Sequence, residues 1–393
     1  MPRGIRRIAR RAREGGGWRR RRSGRQRVLP NSSVVICGER EYHDGMTIWL
    51  KDRTADELHE ALAPLGVSRR TARRLQAAAV RRDWLPSHLP EVSDQVLARV
   101  RDAVRLPRLA LRDKRVSAKD GFAKYLFKGE GQGLFEAVRI PLLHRAGQGK
   151  YVVCVSSQVG CPLGCAFCAT GRMGFTRNLA AWEMVDQVVR IQADSRYPVR
   201  GVVFMGMGEP LLNYEAVVRA ARILSEPCGG AVAAKAISIS TAGIVPGIRR
   251  FTADRLPFRL VVSLSAAVSA RRQMLMPVEA AHPLPELMAA VRDHHAATGR
   301  RVVLAWTMIS EFNTREADAV ELAGLLDGLP VTLDLIDVND ATGRFRPPSA
   351  EELRAFRDAL RKHLGQPVAR RYSGGADIHA ACGMLATTGA AAE

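Results

Sequence analysis

Long apolar runs and acidic residues are both scarce in this chain of 393 residues. No segment approaches the ~20 consecutive apolar residues of a transmembrane helix. The arginine-rich N-terminus has no apolar stretch behind it, so we expect neither a membrane protein nor a secretory signal. Only 39 Asp and Glu oppose 60 Lys and Arg, which gives a net charge of +21. This imbalance favours a polyanionic partner.

Cysteine is also sparse, and the 7 cysteines are too few for the disulfide framework of a secreted domain. Three of them, Cys161, Cys165 and Cys168, lie within VGCPLGCAFCATG. This spacing can hold three corners of a four-iron cluster and leave one iron for a small molecule. A structural zinc site would need a fourth ligand close by, and His144 and His282 are far away in sequence. Zinc stays open as the less favoured alternative, and we expect a reducing, cytoplasmic location.

The positive charge is concentrated at the start of the chain. Residues 1–28 contain 12 arginines and one glutamate, about half of the net charge. The segment is of low complexity, and we predict that residues 1–45 form a disordered arm. Such an arm could bind RNA phosphates through counterion release. A solvated tail or a mis-assigned start codon is an equally good interpretation.

The next hundred residues change from helical to extended patterns. Over residues 46–109, Thr54 to Glu57 form a capping box, and a second helix from about Ser68 carries several arginines. We predict a small helical domain of an RNA-binding type, although its basic surface could equally be a solvated face. Residues 110–146 are predicted to form an extended hairpin that links this domain to the rest.

From residue 147, strand and helix patterns alternate. Nearly continuous apolar strands between helices indicate a parallel sheet that is covered on its outer face. Six units are too few for an eight-unit barrel, so we predict an α/β fold, a partial (β/α)6 barrel over residues 147–375, with ligands at the carboxyl ends of its strands and a tail at 376–393. The predicted strands are 151–157, 201–206, 236–241, 259–265, 301–309 and 331–338, and the predicted helices are 178–194, 213–225, 284–297, 315–327 and 349–363.

Small polar residues end three consecutive strands of this barrel. Glycine allows a ligand to approach the backbone closely, and Glu209 offers a carboxylate to an ammonium group. Each signal is weak alone, because such residues are common in turns. Together with the cysteines they predict a site for S-adenosylmethionine that includes Gly208, Glu209, Ser240, Ser263, Leu264 and Ser265.

Four motifs then point to one family: YVVCVSSQVGCPLGCAFCATG, GFTRNL, VVFMGMGEPLLN and GGADIHAACGM. Over roughly residues 50–388 the chain resembles the radical S-adenosylmethionine enzymes that methylate carbon 2 of adenine in ribosomal and transfer RNA, and their antibiotic-resistance relative that methylates carbon 8. The resemblance implies a radical-SAM barrel, a [4Fe-4S] cluster on the three clustered cysteines, S-adenosylmethionine, an RNA substrate, and an electron donor such as flavodoxin or ferredoxin. It also implies a monomer.

The same resemblance implies roles for four further residues. Cys382 would receive a methyl group from one S-adenosylmethionine, and cleavage of a second would generate a radical that activates this methyl group for bonding to the adenine. Cys154 would then attack Cys382, form a disulfide and release the product. Glu136 would accept the ring proton, and Asn313 would contact the cofactor. The alternatives are a buried apolar Cys154, an ordinary tail cysteine, a surface glutamate and a helix-capping asparagine.

Several rim positions depart from the family pattern. Serine replaces a histidine at 265, and other departures are Glu279, Ala305, Trp306, Thr314, Asp334, Asp337 and Asp340. Added acid is unfavourable beside RNA. The departures therefore leave open a paralogue acting on adenine carbon 8, on another RNA position or on a small aromatic metabolite. A non-catalytic RNA-binding metalloprotein and a lyase or thiolation-type radical enzyme are disfavoured, because neither explains the pair of Cys154 and Cys382.

Overall fold

The computed structural model describes residues 47–142 and 149–387. The predicted arm at 1–45 lies outside these ranges. All described residues belong to one compact unit, Gly45–Glu393, and the finer domain boundaries stay a prediction. No helix in the described ranges is long and apolar enough to cross a membrane.

The N-terminal part of this unit is helical, as predicted. The capping box is present: the Thr54 amide donates to the Glu57 carboxylate (2.8 Å), while the Thr54 side chain caps the first helix. The Ser68 side chain caps the second helix at the predicted place. The elements are β1 (Ile48–Trp49), α1 (Ala55–Leu62), α2 (Arg69–Arg82), α3 (Asp94–Ala103) and β2 (Val104–Arg105), packed around Leu50, Leu58, Leu62, Leu75, Leu97 and Val100.

The remaining elements build an α/β structure. In chain order they are β3 (Ala110–Val116), β4 (Ala123–Lys128), β5 (Leu134–Leu142), β6 (Lys150–Cys154), β7 (Gln158–Gly160), α4 (Ala169–Arg172), β8 (Phe175–Asn178), α5 (Ala181–Ala193), β9 (Val199–Phe204), α6 (Tyr214–Ser225), β10 (Ile237–Thr241), α7 (Val245–Ala253), β11 (Arg259–Ser263), α8 (Ser269–Leu275), α9 (Leu284–Thr298), β12 (Val302–Met308), α10 (Glu316–Leu326), β13 (Val331–Asp337), α11 (Ala350–Leu364) and β14 (Val368–Arg371).

One ten-stranded sheet organises these elements, in the order β14-β13-β12-β11-β10-β9-β6-β5-β4-β3. The six predicted barrel strands are present, and neighbours from β6 through β14 pair in parallel. β14 was not predicted, because two apolar residues followed by two arginines carry no strand pattern. The predicted hairpin at 110–146 is an antiparallel ladder of β3, β4 and β5 that continues the sheet through β6.

Each barrel strand has an outer face toward the helices and an inner face toward the barrel interior. Paired residues on neighbouring strands project to the same face, so Ser263, Ala305 and Asp334 form one inner row. A small apolar cluster adjoins this row and is separate from the main core: Val261, Val303 and Ala305, with Met205 and Ile336 against it. The polar residues predicted at the strand ends thus lie next to this apolar cluster inside the barrel.

A buried ion-pair network joins the helical part to the barrel. The Lys51 side chain is fully buried, and its ammonium group pairs with Asp186 of α5 and with Asp83 at 2.5 Å. Asp186 also accepts the Leu109 amide (2.6 Å). Because the buried carboxylate loses water on folding, its partners must satisfy it.

We expect Lys51→Met to destabilise the protein by about 3 kcal/mol, because it leaves the buried Asp186 carboxylate with the more distant Arg190 (3.5 Å) as its remaining charged partner. Urea unfolding followed by tryptophan fluorescence measures this loss. The double variant Lys51→Met/Asp186→Asn removes both charges and should recover at least half of it. An equal loss in both variants would contradict this account.

Candidate active site

The three clustered cysteines lie in the loop between β7 and α4, after the first barrel strand as predicted. The Cys161 amide donates to the Gly174 carbonyl (2.8 Å), and the Ala166 amide donates to the Leu275 carbonyl of α8 (2.9 Å). Gly160 has a φ of +74°, and a Cβ there would lie 1.9 Å from the Gly174 oxygen. The loop is therefore fixed on both sides, and all three thiols are half-buried and free of disulfides.

The thiols fit an iron–sulfur cluster better than a single ion. Burial raises the pKa of Cys165, and the neighbouring Cys168 and Cys161 thiols raise it further, so the three sulfurs lie close together. Yet the described residues contain no group of three His, Cys, Asp or Glu arranged around one metal ion. In a four-iron cluster each thiolate binds a different iron, and soft thiolates are the usual ligands. The zinc alternative lacks its fourth ligand in the same residues.

Glu209 lies beneath this loop and is almost fully buried. Its carboxylate accepts the amides of Leu211 (3.0 Å) and Ala242 (2.7 Å). Burial raises the pKa of Glu209 to about 7, although these hydrogen bonds lower it. The preceding Gly208 has a φ of +103°, and a Cβ there would lie 2.6 Å from the Gln158 side chain. Glycine is therefore required at position 208 for Glu209 to be buried in this way.

The other predicted cofactor residues follow along the strand ends. Ser240 and Ser263 are half-buried on the inner face, as a ligand contact requires. Leu264 is fully buried, and its amide donates to the Ala305 carbonyl (2.9 Å). Ser265 is buried too, in the left-handed region with a φ of +57°. Non-glycine residues in this conformation concentrate at functional sites.

Asn313 has a different environment from the one expected. It is fully buried, and its amide nitrogen donates to the carbonyls of Ser265 and Thr307, both at 2.7 Å. Its side-chain oxygen accepts the Ile309 amide (2.8 Å). Asn313 therefore holds the unusual Ser265 turn in place, and the cap of α10 is Arg315 instead. Direct contact between Asn313 and the cofactor stays a prediction.

The C-terminal segment brings Cys382 to the cysteine loop. The Ala169 amide, next to Cys168, donates to the Gly383 carbonyl (2.7 Å), and Thr170 donates to the Leu385 carbonyl (2.6 Å). Cys382 itself is exposed. Burial nevertheless raises the pKa of the Cys382 thiol, and the Cys168 thiol raises it further, so this sulfur lies near the residues that would hold the cluster.

Cys154 ends β6 and is buried on the inner face. Burial raises the pKa of its thiol, and the nearby Cys382 thiol raises it further. Both cysteines are free, and the two predicted catalytic thiols lie within electrostatic reach of each other. The pair is 228 residues apart in the chain, which is why spacing alone could not reveal it.

Glu136 on β5 is buried, so it is not the surface glutamate of the alternative interpretation. Its carboxylate pairs with Lys124 of β4 (2.9 Å) and also accepts a hydrogen bond from the Ala386 amide. Burial raises the pKa of Glu136, while Lys124 opposes this shift. A carboxylate with a raised pKa facing the Cys382 segment is suited to accept a proton.

Two functional candidates were missed in the sequence. The Asn339 amide donates to the Ser373 hydroxyl (3.0 Å) and to the Cys382 carbonyl (3.3 Å). Asp120, in the β3–β4 turn, accepts the Gly375 amide and the Tyr372 hydroxyl, both at 2.9 Å. Asn339 lay inside a motif that we read only for its departures. Asp120 had no sequence signal, because its partners are about 250 residues away.

Comparison with known proteins agrees with this geometry. Residues 155–322 match the model of the radical SAM superfamily. A probable RNA methyltransferase of Myxococcus xanthus is 48% identical over 343 residues, covering 86% of this chain and 94% of that protein. The dual-specificity RNA methyltransferase RlmN of Syntrophobacter fumaroxidans is 39% identical over 345 residues, covering 86% and 98%.

A solved structure is similar over the same extent. The radical SAM methyltransferase from Sphaerobacter thermophilus superposes with a TM-score of 0.77 at 39% identity, covering 86% of this chain and 99% of that one. This chain belongs to the RlmN-type radical SAM methyltransferase family. The family implies S-adenosylmethionine and a [4Fe-4S] cluster, and Cys161, Cys165 and Cys168 are the residues of this methyltransferase that would hold the cluster.

The departures from the family pattern mostly have local partners in this methyltransferase. Glu279 pairs with the buried Arg272 (2.5 Å), and Thr314 donates to Glu352. Trp306 is buried on the helix side, where it contacts Phe356. The added acids pair with arginines: Asp334 with Arg371, Asp337 with Arg370, and Asp340 with Arg172. Only Ser265 and Ala305 alter the inner surface without a charged partner of their own.

We expect Asp120→Ala to release the Cys382 segment, because it removes both hydrogen bonds to Tyr372 and Gly375. Amide hydrogen exchange at residues 372–387 should accelerate on the order of tenfold, and methyltransferase turnover should fall by about 10–100-fold through misplacement of Cys382. Asp113→Ala, at an exposed aspartate of β3 that pairs with Arg115, is the matched control. Unchanged turnover in the Asp120 variant would remove this positioning role.

Proposed function

We propose that this enzyme methylates a ring carbon of adenine, carbon 2, in ribosomal or transfer RNA through an S-methylcysteine at Cys382, and that it consumes two S-adenosylmethionine molecules per turnover. The observation that carries the proposal is the convergence of Cys382, Cys154 and Glu136 beside the cysteine loop. A methyltransferase acting by direct polar transfer would need neither the second thiol nor the three clustered cysteines.

The residues have distinct roles in this proposal. Cys382 carries the transferred carbon and would present it beside the cysteine loop. Glu136 accepts the proton that leaves the ring carbon. Cys154 loses its proton and attacks the Cys382 sulfur as a thiolate, so that a disulfide forms. The electron pair of the broken sulfur–carbon bond leaves with the carbon, which takes up a proton and becomes the methyl group of the product.

The cofactors supply the reactivity that the side chains lack. When bound, the cluster and S-adenosylmethionine provide the methyl group and the radical chemistry that an unreactive ring carbon requires. Gly208 and Glu209 would hold the amino end of S-adenosylmethionine, and Ser240, Ser263, Leu264 and Ser265 would line the nucleoside part. We also propose that a flavodoxin or ferredoxin in the cytoplasm reduces the enzyme, and that the enzyme is a monomer.

RNA as the substrate is supported by charge and by the relatives. The Myxococcus and Syntrophobacter proteins are named RNA methyltransferases. The added acids that would repel RNA are paired with Arg172, Arg370 and Arg371, so the charge objection raised by the sequence is weakened. The retained helical part with its basic surface agrees with a large polyanionic substrate.

A second candidate is a paralogue with the same mechanism that acts on carbon 8 or on a small aromatic metabolite. Ser265 and Ala305 favour it, because they remove an imidazole and a carboxylate from the inner surface. The name of the Myxococcus relative also states no methylated position.

We expect Cys382→Ala to abolish product formation and to leave cleavage of S-adenosylmethionine to 5′-deoxyadenosine. Liquid chromatography of the deoxyadenosine together with mass spectrometry of the RNA measures both. Cys37→Ala, at a cysteine outside all four motifs, is the control. Turnover by the Cys382 variant would disprove the methylcysteine mechanism.

Cys154→Ala should accumulate a covalent complex between Cys382 and the substrate, because no thiol remains to break the sulfur–carbon bond. Denaturing electrophoresis with labelled RNA detects such a complex. Release of free product at the wild-type rate would exclude Cys154 from the mechanism.

Nucleoside mass spectrometry of ribosomal and transfer RNA from the native host, with and without the gene, tests the substrate. We expect one methyladenosine to disappear with the gene, and its retention time distinguishes carbon 2 from carbon 8. If no RNA nucleoside changes while the purified enzyme still cleaves S-adenosylmethionine, the small-molecule candidate replaces the RNA proposal.

A further inference from the structure

A groove lined by arginines lies outside the site described above. It has a volume of about 500 Å³, and its walls are one side of α2 and the loop that follows α6. The lining residues are Arg69, Arg70, Arg73, Arg74, Ala77, Arg81, Pro227 and Cys228. No carboxylate belongs to this lining.

The two walls are tied together, so the groove is pre-formed. The Arg81 guanidinium donates to the Gly229 carbonyl (2.9 Å), and the Cys228 thiol donates to Gln76 of α2 (3.0 Å). Glu226 accepts the Ala55 amide of α1 (3.1 Å). A Cβ on Gly229 would lie 1.9 Å from the Ile223 carbonyl oxygen. The loop therefore keeps its shape only with glycine at this position.

The arginines of the groove are only partly balanced by acid. Arg69 pairs with Asp56 and Arg74 pairs with Glu91. The side chains of Arg70 and Arg73 are exposed and make no hydrogen bond or ion pair within the described ranges. Arg70 also interacts electrostatically with Glu91, whose direct partner is Arg74. Because neither Arg70 nor Arg73 is held by a direct ion pair, both remain available to an external anion.

This arrangement costs stability in the absence of a ligand. α2 contains six arginines and no acidic residue in its 14 positions, and like charges three or four residues apart repel. Arg69 and Arg70 also lie in the first turn, where positive charge opposes the helix dipole. A helix face that only contacts solvent would be more stable with both acidic and basic side chains. The uniform positive charge of α2 therefore favours a bound polyanion.

We propose that this groove binds the phosphate backbone of the RNA substrate, with Arg70 and Arg73 as its free phosphate ligands. This inference rests on the proposed RNA substrate and adds a contact outside the catalytic site. Guanidinium groups bind phosphate oxygens through paired hydrogen bonds. The amides of the first turn of α2 add dipoles that attract the same anion. Contacts of this kind position an RNA without reading its sequence.

Binding of total transfer RNA to the cluster-loaded enzyme, measured by fluorescence anisotropy at several salt concentrations, tests the proposal. Arg70→Gln/Arg73→Gln should weaken binding on the order of tenfold. The slope of log affinity against log salt concentration should fall in magnitude by between about 1 and 2, because the RNA keeps one counterion for each phosphate contact that is lost. Arg70→Lys/Arg73→Lys keeps the charge and should keep most of the slope.

Arg354→Gln/Arg357→Gln is the matched control. These two arginines are also exposed, lie three residues apart on the helix α11 and make no hydrogen bond or ion pair within the described part of the chain. The two control substitutions remove the same net charge at another surface, and they should leave the salt slope within about 0.3 of wild type. An equal loss in both pairs would mean that only net charge matters, and the groove proposal would fail.

Cys228 reports the location of the RNA directly. It is half-buried in the groove, so bound RNA should slow its alkylation by iodoacetamide, read by peptide mass spectrometry, and the Arg70/Arg73 glutamine pair should lose this protection. If wild type binds RNA but protects Cys228 no better than that variant does, the groove proposal fails and the proposed function stands. If wild type binds neither transfer RNA nor ribosomal RNA in the same assay, the proposed RNA substrate fails as well.

Discussion

The antiparallel pairing of β5 with β6 is the constraint on which the site depends. Val138 lies opposite Cys154 in this pairing, and residues two apart on a strand share a face. Glu136 and Cys154 therefore project into the same interior, although they come from the hairpin and from the first barrel strand. A shift of one residue would turn Glu136 to the opposite face. The hairpin that was predicted as a linker thus forms one wall of the barrel interior.

The same ladder anchors the end of the chain. After β14, at one edge of the sheet, the chain crosses to Asp120 near the other edge and then to the cysteine loop. Gly374 permits this crossing, because a Cβ there would lie 2.4 Å from the Phe122 ring. Tyr372 packs edge-on against the same ring, with centroids 6.0 Å apart. Cys382 is consequently fixed at both ends of its segment rather than carried by a free tail.

Local patterns predicted much of this molecule, and long-range partners did not. The six barrel strands and the cysteine loop follow from apolar runs and from spacing within a few residues. β14 was missed because its apolar pattern is only two residues long. Asn313 was assigned to the cofactor from its motif, but its amide is used by the Ser265 turn. Asp120 and Asn339 act on the Cys382 segment through contacts across the fold, which one sequence does not display.

The departures from the family pattern divide into two physical groups. Asp334 and Asp337 gained acid on β13, and the adjacent β14 carries Arg371 and Arg370 at positions that pair with them. Each of these pairings offsets the added negative charge locally. Ser265 and Ala305 gained no charged partner, and Ala305 borders the apolar cluster of the interior. Asp334 shares the inner row with Ala305, but Arg371 neutralises it. A change in what this enzyme recognises would therefore arise at Ser265 and Ala305.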